Sequence, residues 1–164
     1  MGVQFQLPAQ ASIVEAISPA ADAGGRSGAW ISLKNAIKAY VLVNITQGNA
    51  ATVALTFQQA TAIAGTGAKA LASGNMRIWA NQDVSVNDTL TEVTAAQSFT
   101  TSAAVKNKLV LFEINPAEVM DINNGFDCIQ VITGASNAAN ITQAVYILTP
   151  LGFSQATPPS AVLD

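Results

Sequence analysis

An all-β domain, a β-sandwich of jelly-roll type with long loops, one short helix and extended termini, is the fold the sequence predicts. Three observations predict it. About eight to ten short runs carry the β-branched and aromatic residues that suit strands. Gly, Asn, Pro and Ser turn signals separate them, and several alternate apolar and polar residues with a period of two. Short strands in that number bury their apolar faces by packing one sheet on another.

Taken in order, residues 13–17 and 29–33 read as two strands that pair near the start of the chain. Residues 18–28 hold one proline and three glycines and few large apolar side chains, the composition of a surface loop. Between residues 40 and 58, Val41, Val43 and Ile45 mark one face, Gln47, Gly48, Asn49 and Ala50 interrupt, and Val53, Leu55 and Phe57 alternate with Thr52, Ala54 and Thr56. That pattern predicts a β-hairpin with a Gly-Asn tip. Residues 58–75 are mostly Ala, Gly, Thr and Ser and read as a second long loop, with Gly65, Gly67 and Gly74 opposing a long helix.

Residues 76–80, 84–86, 90–93 and 97–100 are shorter strand candidates. Residues 109–114 are apolar on both faces except at Glu113, which predicts a mid-sheet strand covered on each side. Asn115, Pro116 and Glu118 then supply a cap, a proline for the first turn and an acid near the helix start. One short helix follows, ending near Asn123, Asn124 and Gly125. Residues 126–133 lead through Gly134, Ala135, Ser136 and Asn137 into residues 140–148, where Ile141, Val145 and Ile147 alternate with Thr142, Ala144 and Tyr146. This reads as a second hairpin. Both tips carry Asn-Ala-Ala, at Asn49 and Asn137, a match too short to define a repeat. Pro158 and Pro159 lack the donor a sheet ladder needs, so residues 154–164 are expected to form an extended tail. The predicted organisation is an extended arm over 1–11, one sandwich domain over 12–153 and that tail.

Composition narrows the function classes. A chain of 164 residues, half of them hydrophobic, buries roughly two-thirds of its unfolded surface as one domain. Charged residues make up 10% and the net charge is -3, which disfavours capture of nucleic acid by its phosphates. There is no histidine, so the commonest general base and metal ligand is missing. The single cysteine excludes an intrachain disulfide framework and a cysteine-based zinc cluster. No apolar run approaches the roughly 20 residues of a membrane-spanning helix. The first basic residue is Arg26, so nothing supports a cleaved secretion signal, and a cytoplasmic origin is expected. Gln6 stands where a myristoylation signal wants Ser or Thr. The N-x-Thr triplets at Asn44, Asn87 and Asn140 are read as composition, not as glycan acceptors.

Several motifs touch on chemistry without completing it. Gly65-Thr66-Gly67-Ala68-Lys69-Ala70 fits a loose G-x-G-x-x-A pattern, with Asp83 where a dinucleotide fold keeps its ribose-binding acid, yet no buried strand precedes it. It also fails as a P-loop, because Ala70 follows Lys69. Residues 121–127 contain Asp121, Asn123, Gly125 and Asp127, like a calcium loop, but Ile132 replaces the closing glutamate. Cys128 lies in an apolar strand pattern and reads as core. Ser32 with Lys34, on one strand face, is a spacing common by chance, and Glu113 with Glu118 is a carboxylate couple that sequence leaves open, because carboxyl separation is set in three dimensions. Trp30 and Trp79 are read as core or interface anchors before sugar platforms. No catalytic, cofactor or metal residue is assigned, and no enzymatic activity is expected.

The runs Ser32-Leu33-Lys34-Asn35-Ala36, Ile45-Thr46-Gln47-Gly48-Asn49-Ala50-Ala51-Thr52-Val53, Ile78-Trp79-Ala80-Asn81, Val105-Lys106-Asn107-Lys108-Leu109-Val110, and Gly125-Phe126-Asp127-Cys128-Ile129 through Gly134-Ala135-Ser136-Asn137-Ala138-Ala139-Asn140-Ile141 resemble small structural proteins of tailed bacteriophages. The resemblance covers nearly the whole chain and points to capsid decoration, or cement, proteins. It implies a virion protein, made in the host bacterial cytoplasm, that binds the outer surface of the major capsid protein shell as a homo-oligomer, a trimer being favoured. It implies no cofactor, no metal, no nucleic acid and no membrane. Such a protein acts by linkage, since binding only the assembled, expanded shell stabilises that state by RT ln(1 + [L]/Kd) at each site. Residues 1–11 and 155–164 are expected to make contacts between subunits. A tail or head-tail junction protein of the particle is the alternative, followed by a carbohydrate-binding β-sandwich module that would use Trp30 or Trp79.

Overall fold

The structure, a computed structural model, describes residues 7–151 and 160–162. The first six residues of the expected arm, and residues 152–159 and 163–164 of the expected tail, lie outside the described residues. One helical turn, α1 (Leu7–Gln10), stands where the arm was expected to be extended. Twelve strands follow among the described residues: β1 (Ser12–Ala21), β2 (Arg26–Ser27), β3 (Ile31–Ser32), β4 (Ala36–Gln47), β5 (Ala54–Ala60), β6 (Lys69–Ala70), β7 (Met76–Asn81), β8 (Thr91–Ala96), β9 (Phe99–Thr100), β10 (Asn107–Ile114), β11 (Cys128–Thr133) and β12 (Asn140–Leu151). A second helical turn, α2 (Pro116–Val119), lies between β10 and β11.

The strands form two antiparallel sheets. The first runs β1-β12-β4-β10-β7-β8 and the second β2-β11-β5-β6, with β3 added on β11 and β9 on β5. The all-β sandwich is therefore the fold. Alternation builds its core: Val41, Val43 and Ile45 of β4 and Val110, Phe112 and Ile114 of β10 are sealed from solvent, and so are Leu55 of β5 and Ile129 and Val131 of β11. Each such side chain stabilises the fold by about 1.5–3 kcal/mol through burial. Phe57 and Phe112 meet across the layers edge to face, with centroids 4.9 Å apart. Tyr146 of β12 also crosses the core: its hydroxyl accepts the Val131 N–H at 2.8 Å and donates to the Ala29 carbonyl at 3.0 Å. Burial pushes its phenol pKa well above the usual value.

Neither predicted hairpin is a hairpin. β4 lies in the first sheet and β5 in the second, and β11 and β12 are divided in the same way. Each Gly/Asn tip is an arch that carries the chain from one sheet to the other. Two strands facing one core from opposite sheets show the same alternation as two strands paired in one sheet, so the pattern does not distinguish them. The real partners are β4 with β12 and β5 with β11, which sets the two arches side by side. Gly48 sits where they touch: a Cβ there would lie 2.5 Å from the Ala139 carbonyl oxygen.

Other expectations need correction. β1 pairs with β12, and β3 with β11, instead of with one another. The first expected loop is half strand, since β1 continues to Ala21. Pro19 is tolerated there because β1 is an edge strand with a register shift between Ile17 and Ala20. Within the second, β5 reaches Ala60 and β6 intervenes, so the loop is shorter than expected. Val84 to Val86 form a turn, closed by the Asp83 carboxylate accepting the Ser85 N–H at 3.1 Å and the Asp83 carbonyl accepting the Val86 N–H at 3.2 Å. The expected short helix splits into α2 and a 3-10 turn (Ile122–Asn124), which Gly125 ends with a left-handed φ of 80°. β10 is central in its sheet, but Leu109, Leu111 and Glu113 on its outer face are only half-buried.

Candidate interaction surface

Strand alternation that fills the core also decides what the first sheet presents outward. With Val41, Val43 and Ile45 inside, the neighbouring Tyr40, Leu42 and Asn44 face away from the core. Register places Leu42 beside Val145 of β12 and Leu111 of β10, and Leu111 beside Trp79 of β7. One unbroken apolar row thus crosses four strands, and all four side chains are half-buried. Glu15 of β1 and Glu92 of β8 close its two ends. The next row runs Ile13, Ile147, Tyr40, Glu113 and Arg77, with Ile13 exposed at 52%. A shallow depression of about 190 Å³ lies at the β12–β4–β10 part of the face, lined by Leu42, Asn44, Leu109, Gln143 and Val145.

Apart from Glu15 at its β1 edge, the charges on this face are paired within the chain. Lys38 Nζ donates to Glu113 Oε1 at 2.6 Å and the Tyr40 hydroxyl donates to Glu113 Oε2 at 3.3 Å. The lysine's hydrogen bond holds the Glu113 carboxyl below the usual glutamate range. Arg77 spans both oxygens of Glu92 at 2.9 and 3.2 Å and lies 4.8 Å from the Trp79 ring centroid. The result is an apolar centre with a neutralised polar rim, the anatomy of a protein-docking surface.

Motif residues noted in the sequence have other tasks. Lys69 of the glycine-rich loop and Asp121 of the calcium-like loop are each other's partners at 2.6 Å, and the Lys69 ammonium also caps the Phe126 ring at 3.8 Å. That pairing, with Asn124 added, holds the Asp121 carboxyl below the usual range. β6 follows the glycines instead of a helix, so no helix N-terminus faces a phosphate there. Asp83 accepts from the Ser85 hydroxyl and pairs with Lys106 at 2.9 Å. Ser32 ends β3, whereas Lys34 stands in the following turn 3.6 Å from Asp127, so the two do not share a strand face. Glu118 accepts from Asn115 at 2.8 Å, and Glu113 is held ionised where a glycosidase acid needs its proton. Cys128 is buried in β11. Trp30 is half-buried beneath the glycine-rich loop, where a Cβ on Gly65 would lie 2.8 Å from its indole nitrogen. Trp79 is on the outer face. Among the described residues no group of three His, Cys, Asp or Glu side chains is placed to hold a metal ion, and no helix is long and apolar enough to cross a membrane.

Comparison with known proteins gives likeness without membership. No protein family matches the chain, and no curated protein matches it. Among solved structures, the chain is similar to the SPBc2 prophage-derived protein YomS at 9% identity, over 85% of this chain and 93% of that one, with a TM-score of 0.47. It is also similar to a structure described as "CBM4 structure and function", at 11% identity over 86% of this chain and 68% of that one, with a TM-score of 0.31.

Two buried polar clusters escaped the sequence reading. Lys108 points into the end of the sandwich and is 1% exposed; its ammonium donates to Gln47 Oε1 at 2.8 Å and to the carbonyl and hydroxyl of Ser102 at 2.6 and 3.0 Å. Its phase with Val110, Phe112 and Ile114 was the available signal. Asp22, fully buried, accepts from Arg26 Nε at 3.0 Å, from Thr133 at 2.9 Å and from the Thr142 hydroxyl. No sequence pattern marks it, since its partners come from β2, β11 and β12.

Proposed function

We propose that this chain is a structural protein of a phage particle, one that decorates and stabilises the capsid by binding the outer surface of the major capsid protein shell. The residue runs that resemble phage structural proteins support the assignment to a particle. The observation that carries a contact-based role is the apolar row Val145, Leu42, Leu111 and Trp79, flanked by ion pairs already closed within the chain. Such a face gains by excluding water against another protein. Attachment to the shell is assigned to the loop end, where Val86 and Val105 are exposed at 73% and 53%, together with the terminal segments.

Purified protein mixed with empty expanded shells and with procapsids tests the reading. Co-sedimentation with expanded shells alone, and a rise in their heat resistance that saturates with added protein, are the expected results. Binding to neither shell, with labelling of purified tails instead, would move the protein to the tail.

A further inference from the structure

We propose that the outer face of the first sheet is the surface on which two copies of this chain pair, face to face about a two-fold axis. The proposal names the partner of the face described above and rests on its reading as a protein-docking surface.

Size is the first argument. Strands lie about 4.8 Å apart and rise about 3.4 Å per residue. Five strand spacings by the eight residues of β10 therefore give a face of roughly 650 Å². Two such faces together bury about 1,300 Å², inside the range of about 1,200–2,000 Å² for stable pairs. Layered sheets pack in this way inside sandwiches, with side chains interdigitating about 10 Å apart.

Charge is the second argument. A heterologous partner is selected and steered by complementary charge, but this face offers almost none. Lys38 is closed on Glu113 and Arg77 on Glu92. Covering these two pairs leaves neither charge without its partner, which is the condition for burying them, and Glu15 stands exposed at the β1 edge. A face of this kind is complementary to itself. About an axis parallel to the strands, β1 of one copy lies over β8 of the other, so Glu15 lies over Glu92, whose charge its own Arg77 already neutralises, at the solvent-open edge of the pair. A closed, isologous contact results. It gives a two-fold pair in place of the three-fold assembly that the resemblance implies.

Sedimentation equilibrium of the full chain tests the pairing, on the native protein and on Leu42→Arg, Leu111→Glu and the control Ile122→Arg, an exposed residue outside the face. The native chain and Ile122→Arg should sediment at twice the chain mass. Both face variants should sediment as monomers with unchanged circular dichroism. If a face variant fails to fold, the milder Leu42→Ala replaces it and should weaken the pairing at least about tenfold in dissociation constant. A native monomer at 50 µM, a trimer, or a mass unaltered in the folded face variants would overturn the pairing. Shell binding is measured separately on the same proteins. Shells bound by a native monomer defeat the pairing and leave the decoration reading standing, whereas dimers that ignore shells do the reverse.

Discussion

Asn49 and Asn137 close the same turn in two places: each side-chain oxygen accepts the backbone N–H two residues further on, at 2.9 Å, from Ala51 and from Ala139. The two turns are the crossings between the sheets, and they are tied together by Asn140. Its side-chain oxygen accepts the Asn49 N–H at 2.8 Å, and its amide nitrogen donates to the Ala51 carbonyl at 2.7 Å and to Ser136 at 2.9 Å. The short Asn-Ala-Ala match thus marks a repeated local solution, because an alanine imposes no bulk where the two arches touch.

Removing that tie should cost more than removing either turn. Asn140 is fully buried, so Asn140→Ala leaves the Asn49 N–H without its acceptor and the Ala51 carbonyl with only the Ser136 hydroxyl at 3.4 Å, and should destabilise by about 1–3 kcal/mol. Asn49→Ala and Asn137→Ala expose their freed groups to water and should cost about 0.5–1 kcal/mol each. Urea unfolding of the three variants checks the order. Equal losses at all three positions would show that the arches are not joined through Asn140.

Asp22 anchors the end of β1. Asp22→Ala removes the acceptor for Arg26, Thr133 and Thr142 at once, and breaking a buried ion pair of this kind costs about 3–5 kcal/mol. Because the Arg26 side chain is 21% exposed, the lower end of that range is expected. A midpoint shift in urea below that of Asn140→Ala would contradict this ranking.

Strand positions were legible because alternation is a local property. Val41, Val43 and Ile45 announce a buried face without reference to any partner. Pairing was not legible, since Leu55 and Phe57 look the same whether β5 hydrogen-bonds to β4 or faces it across the core. Val84 and Val86 misled for a related reason: Asp83 captures the local backbone donors, and side-chain capping outweighs β-propensity over three residues. The outer row could not be recognised as a surface either. Leu109 and Leu111 read as buried on both faces, and only the topology shows that no strand among the described residues covers their outer side.

Lys108 carries an alkaline signature. Burial lowers its pKa from the usual 10.5, so the folded state binds its proton less tightly than the unfolded chain. Its ammonium therefore costs stability at pH values below the folded pKa, and the cost is relieved as pH rises towards 10.5. Lys108→Met should remove that rise and be neutral or about 1 kcal/mol stabilising. Its acceptors keep other partners, Gln47 with the Thr101 hydroxyl and the Ser102 carbonyl with the Gln47 amide. Urea midpoints at pH 7 to 10 for the two proteins check it; a strongly destabilised Met variant would make Lys108 a required strut.

Glu113 should govern part of the acid limb. Lys38 and Tyr40 hold its carboxyl below the usual 4.5, so its contribution is present above that value and is lost as pH falls through the folded pKa. Glu113→Gln should flatten the fall in stability below pH 4.5 and, because Glu113 is what raises the Lys38 pKa, also remove the Lys38 share of the alkaline loss. Thermal melts from pH 3 to 6 would read the difference, and parallel curves for the two proteins would show that the carboxylate is not engaged in solution.

Shell attachment can be separated from folding at the N-terminus. Residues 1–6 precede the helical turn that the Ala11 N–H closes on the Leu7 carbonyl at 2.8 Å, so their removal leaves that turn in place. The C-terminal end is different: Ala161 is 8% exposed and accepts the Ser32 N–H at 2.8 Å, so cutting residues 155–164 should lower stability as well. If the arm lies across a neighbouring subunit, the chain without residues 1–6 should melt at the native temperature yet bind expanded shells at least tenfold more weakly, a loss of about 1.4 kcal/mol. A truncated chain that binds shells with native affinity would move attachment to the exposed Val86 and Val105 end, where Val86→Asp with Val105→Asp should then abolish it.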